Sequence, residues 1–197
     1  MTAFRLGLTG SIGMGKSTTA AIFADEGIPV WDADAAVHRL YAPGGAAVAP
    51  LAEAWPAALV AGGIDRGALK AWIAQDKDAL GRIEALVHPL VAADRAAFVA
   101  GVPGDLVVLD IPLLFETGAE AALDATLLVT APAALQRARV LARPGMTEDM
   151  LATILARQMP DRDKRARATH IIETLGLEAV RAAVRALIHY VRTSKDA

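Results

Sequence analysis

The sequence has no cysteine in its 197 residues. This absence excludes disulfide bridges, thiolate nucleophiles and cysteine-based zinc sites, so other side chains must carry any chemistry. A cysteine-free chain fits a reducing compartment, and we expect a cytoplasmic protein.

Long apolar runs are also missing, although 54% of the residues are hydrophobic. Uncharged stretches such as residues 40–52 are short and interrupted by proline and glycine, so we predict no transmembrane helix. The first residues contain no apolar segment followed by a small-residue cleavage site, so we predict no secretory signal.

Positive charge is not in excess. Lys and Arg number 20 and Asp and Glu number 22, which gives a formal net charge of −2. Such a chain lacks the broad basic field that holds proteins to nucleic acid, whereas a compact anionic substrate remains compatible with it. We therefore expect a small-molecule substrate and no nucleic-acid partner. We also expect no membrane partner, and a monomer or weak homo-oligomer.

Short apolar runs alternate with segments of helical periodicity along the chain. This alternation predicts an α/β fold with a parallel sheet and helices on both faces. Helices are predicted at 132–143 and 147–158, and another after Gly176. Five strands are predicted, at residues 4–8, 28–31, 106–109, 126–129 and 170–173.

We expect a single elaborated domain rather than two independent ones. Residues 1–42 and 102–197 are predicted to form its core, with a lid region at 132–165. Residues 43–101 are rich in alanine and show no strand pattern, so we predict a helical insertion there.

Residues 10–17 read GSIGMGKS and match the phosphate-binding pattern G-x-x-x-x-G-K-[ST] in full. The motif follows a predicted strand and precedes a predicted helix, which is the context it requires. Its glycines let backbone N–H groups face a phosphate, and the helix N-terminus adds partial positive charge. We predict that Lys16 reaches the β- and γ-phosphates and that the Ser17 hydroxyl binds Mg²⁺. The residues expected to contact the nucleotide are Ile12, Gly13, Met14, Gly15, Lys16, Ser17 and Thr18.

Acidic residues stand at two predicted strand ends, where α/β folds keep their sites. Asp34 is placed to accept the proton of a substrate hydroxyl that attacks the γ-phosphate. Asp32 competes for this role, although capping the next helix is an equally good interpretation for it. Asp110 has the position of a Walker B acid that holds Mg²⁺, and its alternative role is to cap a turn before Pro112.

Arginines are densest on and after the two late predicted helices. Arg139 and Arg143 stand one helical turn apart, so they can act together on one ligand, as a lid over a triphosphate requires. For any single arginine, the commoner interpretation is a solvated face paired with nearby acids.

The sequence also contains no asparagine, which removes the usual guanine-reading Asn-Lys-x-Asp motif of Ras-like GTPases. A motor or transport ATPase usually needs partner domains for which this length leaves no room. A compact small-molecule kinase remains.

The order of motifs resembles the dephospho-coenzyme A kinase family almost from end to end. The shared pieces are LTGSIGMGKST at 8–18, DAD at 32–34, Asp65-Arg66 with Leu69, Glu84 through His88-Pro89, DIPLLFE at 110–116, Arg139 with Arg143, Gln158, and Gly176. The start of the loop and the PLLFE run are far more selective than the P-loop alone.

The resemblance implies a P-loop, nucleoside-monophosphate-kinase-like three-layer fold with a five-stranded parallel sheet, a helical acceptor-binding insertion and a helical lid. It implies transfer of the ATP γ-phosphate to the ribose 3′-hydroxyl of dephospho-coenzyme A, with Mg²⁺. The implied catalytic residues are Asp34, Lys16, Arg139 and Arg143. The implied metal ligands are Ser17 and Asp110, and the implied acceptor-binding residues are Asp34, Arg66, His88, Pro89 and Leu113.

The chain departs from the family pattern just before and just after the last strand. The family usually has an Ala-Asp pair before this strand and an Asn-x-Gly turn after it, whereas this chain has Thr169 and Thr174 at those points. A Phe-Gly pair expected in the insertion is replaced by Trp55-Pro56. Preference for ATP over GTP therefore stays open.

The rival interpretations are another small kinase, of nucleoside-monophosphate or sugar type, and a nucleotide-binding regulatory module without catalysis.

Overall fold

The computed structural model describes residues 3–195, which form two compact units. The first unit runs to Trp31 and resumes at Val102, and the second unit is Asp32–Gly101. The second unit includes the helix at Ala33–Tyr41, which the predicted boundary at residue 43 had assigned to the core.

The first unit is built on a five-stranded sheet. Its strands are β1 (Phe4–Thr9), β2 (Val30–Asp32), β5 (Leu106–Asp110), β6 (Ala125–Thr130) and β7 (His170–Glu173). The sheet order is β2-β5-β1-β6-β7, and the pairings of β1 with β5, β1 with β6 and β6 with β7 are parallel. The five predicted strands and the parallel α/β fold are therefore confirmed.

The helices of the first unit come before and after the second unit in the sequence. They are α1 (Lys16–Asp25), α6 (Ala133–Leu141), α7 (Glu148–Ala156), α8 (Asp161–Arg167) and α9 (Leu177–Lys195), with a short 3₁₀ helix at Ala119–Ala122. All residues of β5 and β6 are buried, as expected for strands covered on both faces. The apolar stripe of α9, from Val180 to Val191, packs with Ile22 and Phe23 of α1 in the same core.

The second unit is mostly helical. It contains α2 (Ala33–Tyr41), α3 (Val48–Ala54), a 3₁₀ helix (Pro56–Ala58), β3 (Leu59–Val60), β4 (Gly63–Ile64), α4 (Arg66–Gln75) and α5 (Ala79–Gly101). Its own core includes Leu51, Ile83 and Trp72, and the Trp72 ring stacks on Trp55 with centroids 5.2 Å apart. The helical character predicted for this region is observed.

The hairpin of β3 and β4 was not predicted. Each strand has only two residues, which is too short for the alternation of apolar and polar residues that identifies a strand. Its turn places Ala61 at φ 49° and Gly62 at φ 81°, the pair of left-handed residues that a tight antiparallel hairpin favours.

Helix α8 was also not predicted, because six of its seven residues are charged and leave no apolar period to detect. Helix α7 begins as expected, since the Thr147 side chain accepts a hydrogen bond from the Met150 N–H at 3.2 Å. Within residues 3–195, no helix is both long enough and apolar enough to cross a membrane.

Candidate active site

The phosphate-binding loop connects the end of β1 to the start of α1. Gly13 and Gly15 adopt φ values of 77° and 86°, which side-chain-bearing residues rarely adopt. A Cβ atom on Gly13 would lie 2.5 Å from Val140, and one on Gly15 would lie 3.0 Å from Thr174. Both the backbone conformation and the close packing therefore require glycine at these two positions.

Lys16 and Asp110 meet at the base of this loop. Asp110 lies beside Leu8 in the register of β5 and β1, and its carboxylate Oδ1 contacts the Lys16 ammonium. Asp110 is only 2% exposed, whereas Ser17 in the first turn of α1 is exposed. The sheet thus brings a buried acid to the P-loop lysine.

Two glutamines hold the peptide groups of Ile12. The Gln136 side chain donates to the Ile12 carbonyl at 2.8 Å, and the Ile12 N–H donates to the Gln158 side chain at 3.2 Å. Gln136 is 7% exposed, and sequence reasoning gave it no role. The sequence did contain a signal for this role, because Gln136 lies one helical turn before Val140 and therefore on the same buried face of α6. The loop is thereby tied to α6 and to the segment between α7 and α8.

Arg139 and Arg143 line a cleft of about 300 Å³ beside the loop. The other lining residues are Gly13, Gly15, Thr18, Thr19, Thr174, Gly176, Leu177 and Val180. Arg139 is half-buried, and its guanidinium donates from Nη1 to the Thr174 hydroxyl at 2.9 Å and from Nη2 to the Thr174 carbonyl at 2.5 Å. The predicted arginine pair and the predicted loop therefore share one cleft. Arg137, by contrast, pairs with Glu148 on the exposed surface.

A buried ion pair anchors α8 in the same unit. Lys164 is fully buried, and its Nζ lies 2.9 Å from Glu116 Oε1, with angles outside those of a hydrogen bond. Glu116 also accepts the Met159 N–H at 2.8 Å. Burial alone would raise the pKa of the Glu116 carboxyl, but Lys164 and the Met159 N–H outweigh burial and hold that pKa below its usual value. Lys164 belongs to the basic stretch after the two late helices, for which a lid or a solvated face was predicted, and its burial beside Glu116 was not predicted.

Thr169, one of the departures from the family pattern, ties the start of β7 to β6. Its hydroxyl accepts the Thr126 N–H at 3.2 Å, and its own N–H donates to the Thr126 hydroxyl at 2.9 Å. Thr169 therefore has a structural role, because its hydrogen bonds link the start of β7 to β6.

The two acids that compete for the role of base lie at the start of the second unit. Asp32 is the N-cap of α2, because its carboxylate accepts the Ala35 N–H at 2.8 Å. Asp34 is exposed in the first turn of the same helix. The capping interpretation of Asp32 is thus observed, and Asp34 is left accessible to a ligand.

The predicted acceptor residues are divided between separate places. Arg66 lines a cleft of about 590 Å³ within the second unit, and its guanidinium carbon lies 5.9 Å from the centre of the Tyr41 ring. His88 and Pro89 are exposed within α5 and are not among the residues that line this cleft. Leu113, in the first unit, is 42% exposed. Asp65 caps α4 through the Ala68 N–H at 2.7 Å.

The donors predicted for Mg²⁺ are a hydroxyl and a carboxylate, both hard oxygen ligands of the kind this ion prefers. No group of three or more His, Asp or Glu side chains within residues 3–195 is arranged to hold a metal. Mg²⁺ in nucleotide sites is held by one or two protein oxygens together with phosphates and water, so Ser17 and Asp110 fit that ion.

The sequence and the fold both match known proteins. A family model described as dephospho-CoA kinase matches residues 4–177. The dephospho-CoA kinase of Cereibacter sphaeroides is 72% identical over 197 residues, which cover all of both chains.

Solved structures show the same fold. A crystal structure of a Thermus thermophilus protein is 38% identical with a TM-score of 0.85, covering 96% of this chain and 98% of that chain. The dephospho-CoA kinase of Campylobacter jejuni is 21% identical with a TM-score of 0.66, covering 95% and 96%, which shows a shared fold. The chain belongs to the dephospho-coenzyme A kinase family of P-loop kinases.

Proposed function

We propose that this chain transfers the γ-phosphate of ATP to the ribose 3′-hydroxyl of dephospho-coenzyme A. Membership of the family makes it a kinase that phosphorylates dephospho-coenzyme A with ATP in coenzyme A biosynthesis. The structural observation that carries the proposal is the loop of residues 10–17, with Lys16 against Asp110 and two arginines on the adjoining cleft.

The loop and its lysine bind the triphosphate. Backbone N–H groups of residues 12–18 surround the phosphates, and the Lys16 ammonium moves from Asp110 to the β- and γ-phosphate oxygens. Arg139 and Arg143 stabilise the negative charge on the transferring phosphoryl group, because guanidinium groups are suited to bidentate contacts with phosphate.

Ser17 and Asp110 would hold the metal ion of the reaction, Asp110 directly or through water. Mg²⁺, when bound, would supply positive charge that neutralises the negative charge developing on the phosphate oxygens. The contact with Lys16 directs the Asp110 carboxylate toward the loop.

Asp34 accepts the proton of the acceptor hydroxyl. As the proton passes to the Asp34 carboxylate, the 3′-oxygen forms a bond to the γ-phosphorus, and the bond to the β,γ-bridging oxygen breaks to release ADP. Support comes from the exposed place of Asp34 in the first turn of α2 and from the engagement of Asp32 as the cap of that helix.

Most of the proposed acceptor contacts lie in the second unit, and Leu113 is proposed as a further contact. Arg66, on the wall of the 590 Å³ cleft, supplies a positive charge for the acceptor's phosphates, and His88 and Pro89 on α5 supply further contacts. We also propose that the protein acts in the cytoplasm as a monomer or weak homo-oligomer, without nucleic-acid partners, in keeping with its cysteine-free composition and its net charge of −2.

Turnover with a panel of acceptors tests the proposal. The purified protein is incubated with ATP and Mg²⁺ and with dephospho-coenzyme A, nucleosides, nucleoside monophosphates or sugars in turn. We expect coenzyme A and ADP in equal amounts only with dephospho-coenzyme A, and the position of the new phosphate is read by phosphorus NMR. Phosphorylation of a different acceptor alone, or ATP binding without turnover, would contradict the proposal.

A further inference from the structure

Thr174 lies where β7 ends and is 4% exposed. Its N–H donates to the Thr130 carbonyl at 2.8 Å, which continues the pairing of β7 with β6 by one residue. The backbone of Thr174 is therefore fixed by the sheet itself.

The Thr174 hydroxyl has three neighbours within hydrogen-bond distance. They are the Met14 carbonyl at 2.9 Å, the Thr130 carbonyl at 3.2 Å and Arg139 Nη1 at 2.9 Å. A carbonyl can only accept and a guanidinium can only donate, so the hydroxyl proton goes to a carbonyl and an oxygen lone pair receives Arg139. The hydroxyl is therefore held between the two carbonyls and Arg139, and it acts as the acceptor toward Arg139.

Arg139 makes two bonds to this single residue. Nη1 donates to the hydroxyl, and Nη2 donates to the main-chain carbonyl of Thr174 at 2.5 Å. A planar guanidinium held at two points cannot rotate freely about its own axis. These bonds use two of its five N–H groups, and the remaining donors are available to phosphate oxygens in the 300 Å³ cleft that Arg139 lines.

Thr174 also touches the phosphate-binding loop. Its hydroxyl reaches the Met14 carbonyl, and a Cβ atom on Gly15 would lie 3.0 Å from the same hydroxyl oxygen. The hydroxyl therefore contacts both the loop that surrounds the phosphates and the arginine that faces the same cleft.

We propose that Thr174 is a positioning residue, whose hydroxyl sets the Arg139 guanidinium at a fixed place relative to the P-loop backbone. This role rests on the proposed function of Arg139 toward the phosphoryl group. It deepens that function by assigning the group that orients the arginine. A misplaced Arg139 guanidinium would stabilise the transition state less well. Removing the Thr174 hydroxyl should therefore lower mainly kcat.

The test compares Thr174→Val, which keeps the shape and removes the hydroxyl, with Thr174→Ser, which keeps the hydroxyl. We expect Thr174→Val to lower kcat by about ten- to a hundred-fold, the range for losing a hydrogen bond to a charged group, with a smaller change in the KM for ATP. Thr174→Ser should recover most of that loss. Thermal melting checks that each variant is folded, and Thr174→Ala replaces the valine variant if the latter is not.

A double-mutant cycle shows whether the effect passes through Arg139. In an Arg139→Ala background, Thr174→Val should lower kcat no further, because the group that it positions is gone. Equal loss in both backgrounds, or equal loss in Thr174→Val and Thr174→Ser, would overturn the proposal. Failure of the wild-type protein to phosphorylate dephospho-coenzyme A would instead contradict the proposed function. The cycle can then be run on whichever acceptor the panel identifies.

Discussion

The ammonium group of Lys16 contacts the Oδ1 atom of Asp110, which joins the phosphate-binding loop to the end of β5. The two side chains are 18% and 3% exposed, so each charge lies in a poorly hydrated place and depends on the other. In the proposed mechanism, a triphosphate competes with Asp110 for the lysine. Binding would then exchange one charge pair of Lys16 for another.

Lys16→Met removes the ammonium while keeping an unbranched side chain of similar length. We expect kcat to fall by at least about 100-fold and the affinity for ATP to weaken, because the contacts to the β- and γ-phosphates are lost. Steady-state kinetics and calorimetric titration with ATP measure the two effects. Lys77→Met, at an exposed position outside the proposed site, is the matched control. Unchanged ATP affinity and rate would show that Lys16 does not bind the nucleotide.

Asp110→Asn tests the metal role separately from the lysine contact. We expect a higher Mg²⁺ concentration for half-maximal rate, since an amide oxygen is a weaker ligand for this ion than a carboxylate. Rates are measured across a Mg²⁺ titration at fixed ATP, and chelation of Mg²⁺ should abolish turnover in the wild-type protein. A lowered rate with an unchanged Mg²⁺ requirement would restrict Asp110 to its contact with Lys16.

Asp34→Asn and Asp32→Asn form a matched pair of substitutions on one helix start. Asp34→Asn should lower kcat by about 10²- to 10⁴-fold with little change in ATP affinity, the usual contribution of a general base. Asp32→Asn should cost far less, because asparagine also caps a helix and can accept the Ala35 N–H. If the two variants show the opposite order, the role of base belongs to Asp32.

Glu116→Gln tests the buried pair with Lys164 through the pH dependence of stability. The pKa of Glu116 in the fold lies below the ordinary value of 4.5. The carboxylate therefore stabilises the fold above that value and loses its contribution as the pH falls through the folded pKa. We expect Glu116→Gln to lower the free energy of unfolding at neutral pH by on the order of 3 kcal/mol, because Lys164 stays buried without its partner.

Urea unfolding at neutral and acidic pH measures this effect. The difference between wild type and Glu116→Gln should shrink as the pH falls below 4.5. The double variant Glu116→Gln with Lys164→Met should be less destabilised than the sum of the two single variants. A difference that is constant with pH would show that the Glu116 charge contributes nothing to stability.

The parts of the site that the sequence predicts are those with strict local patterns. The P-loop depends on residues within one turn, and the apolar runs before it and before Asp110 identify two neighbouring strands. Because parallel strands end at the same edge of a sheet, the proximity of Lys16 and Asp110 follows from these two patterns alone.

The contacts that the sequence does not predict join distant segments through single polar groups. Gln136 reaches Ile12, and Lys164 reaches Glu116, across separations that no periodicity marks. The hairpin at Ala61 and Gly62 was missed for a different reason, because its strands are too short to show a pattern. Local sequence patterns thus predict the strands of the sheet and the P-loop, whereas the buried polar contacts depend on tertiary packing.

The place of β1 in the sheet determines the order in which the protein can mature during synthesis. β1 is made before its sheet partners, which are residues 106–110 on one side and 125–128 on the other. The nascent chain therefore carries its phosphate loop for most of translation without the strands that fix it. We expect a chain truncated before Leu106 to bind no ATP, so that nucleotide binding appears only after the second half of the protein has left the ribosome.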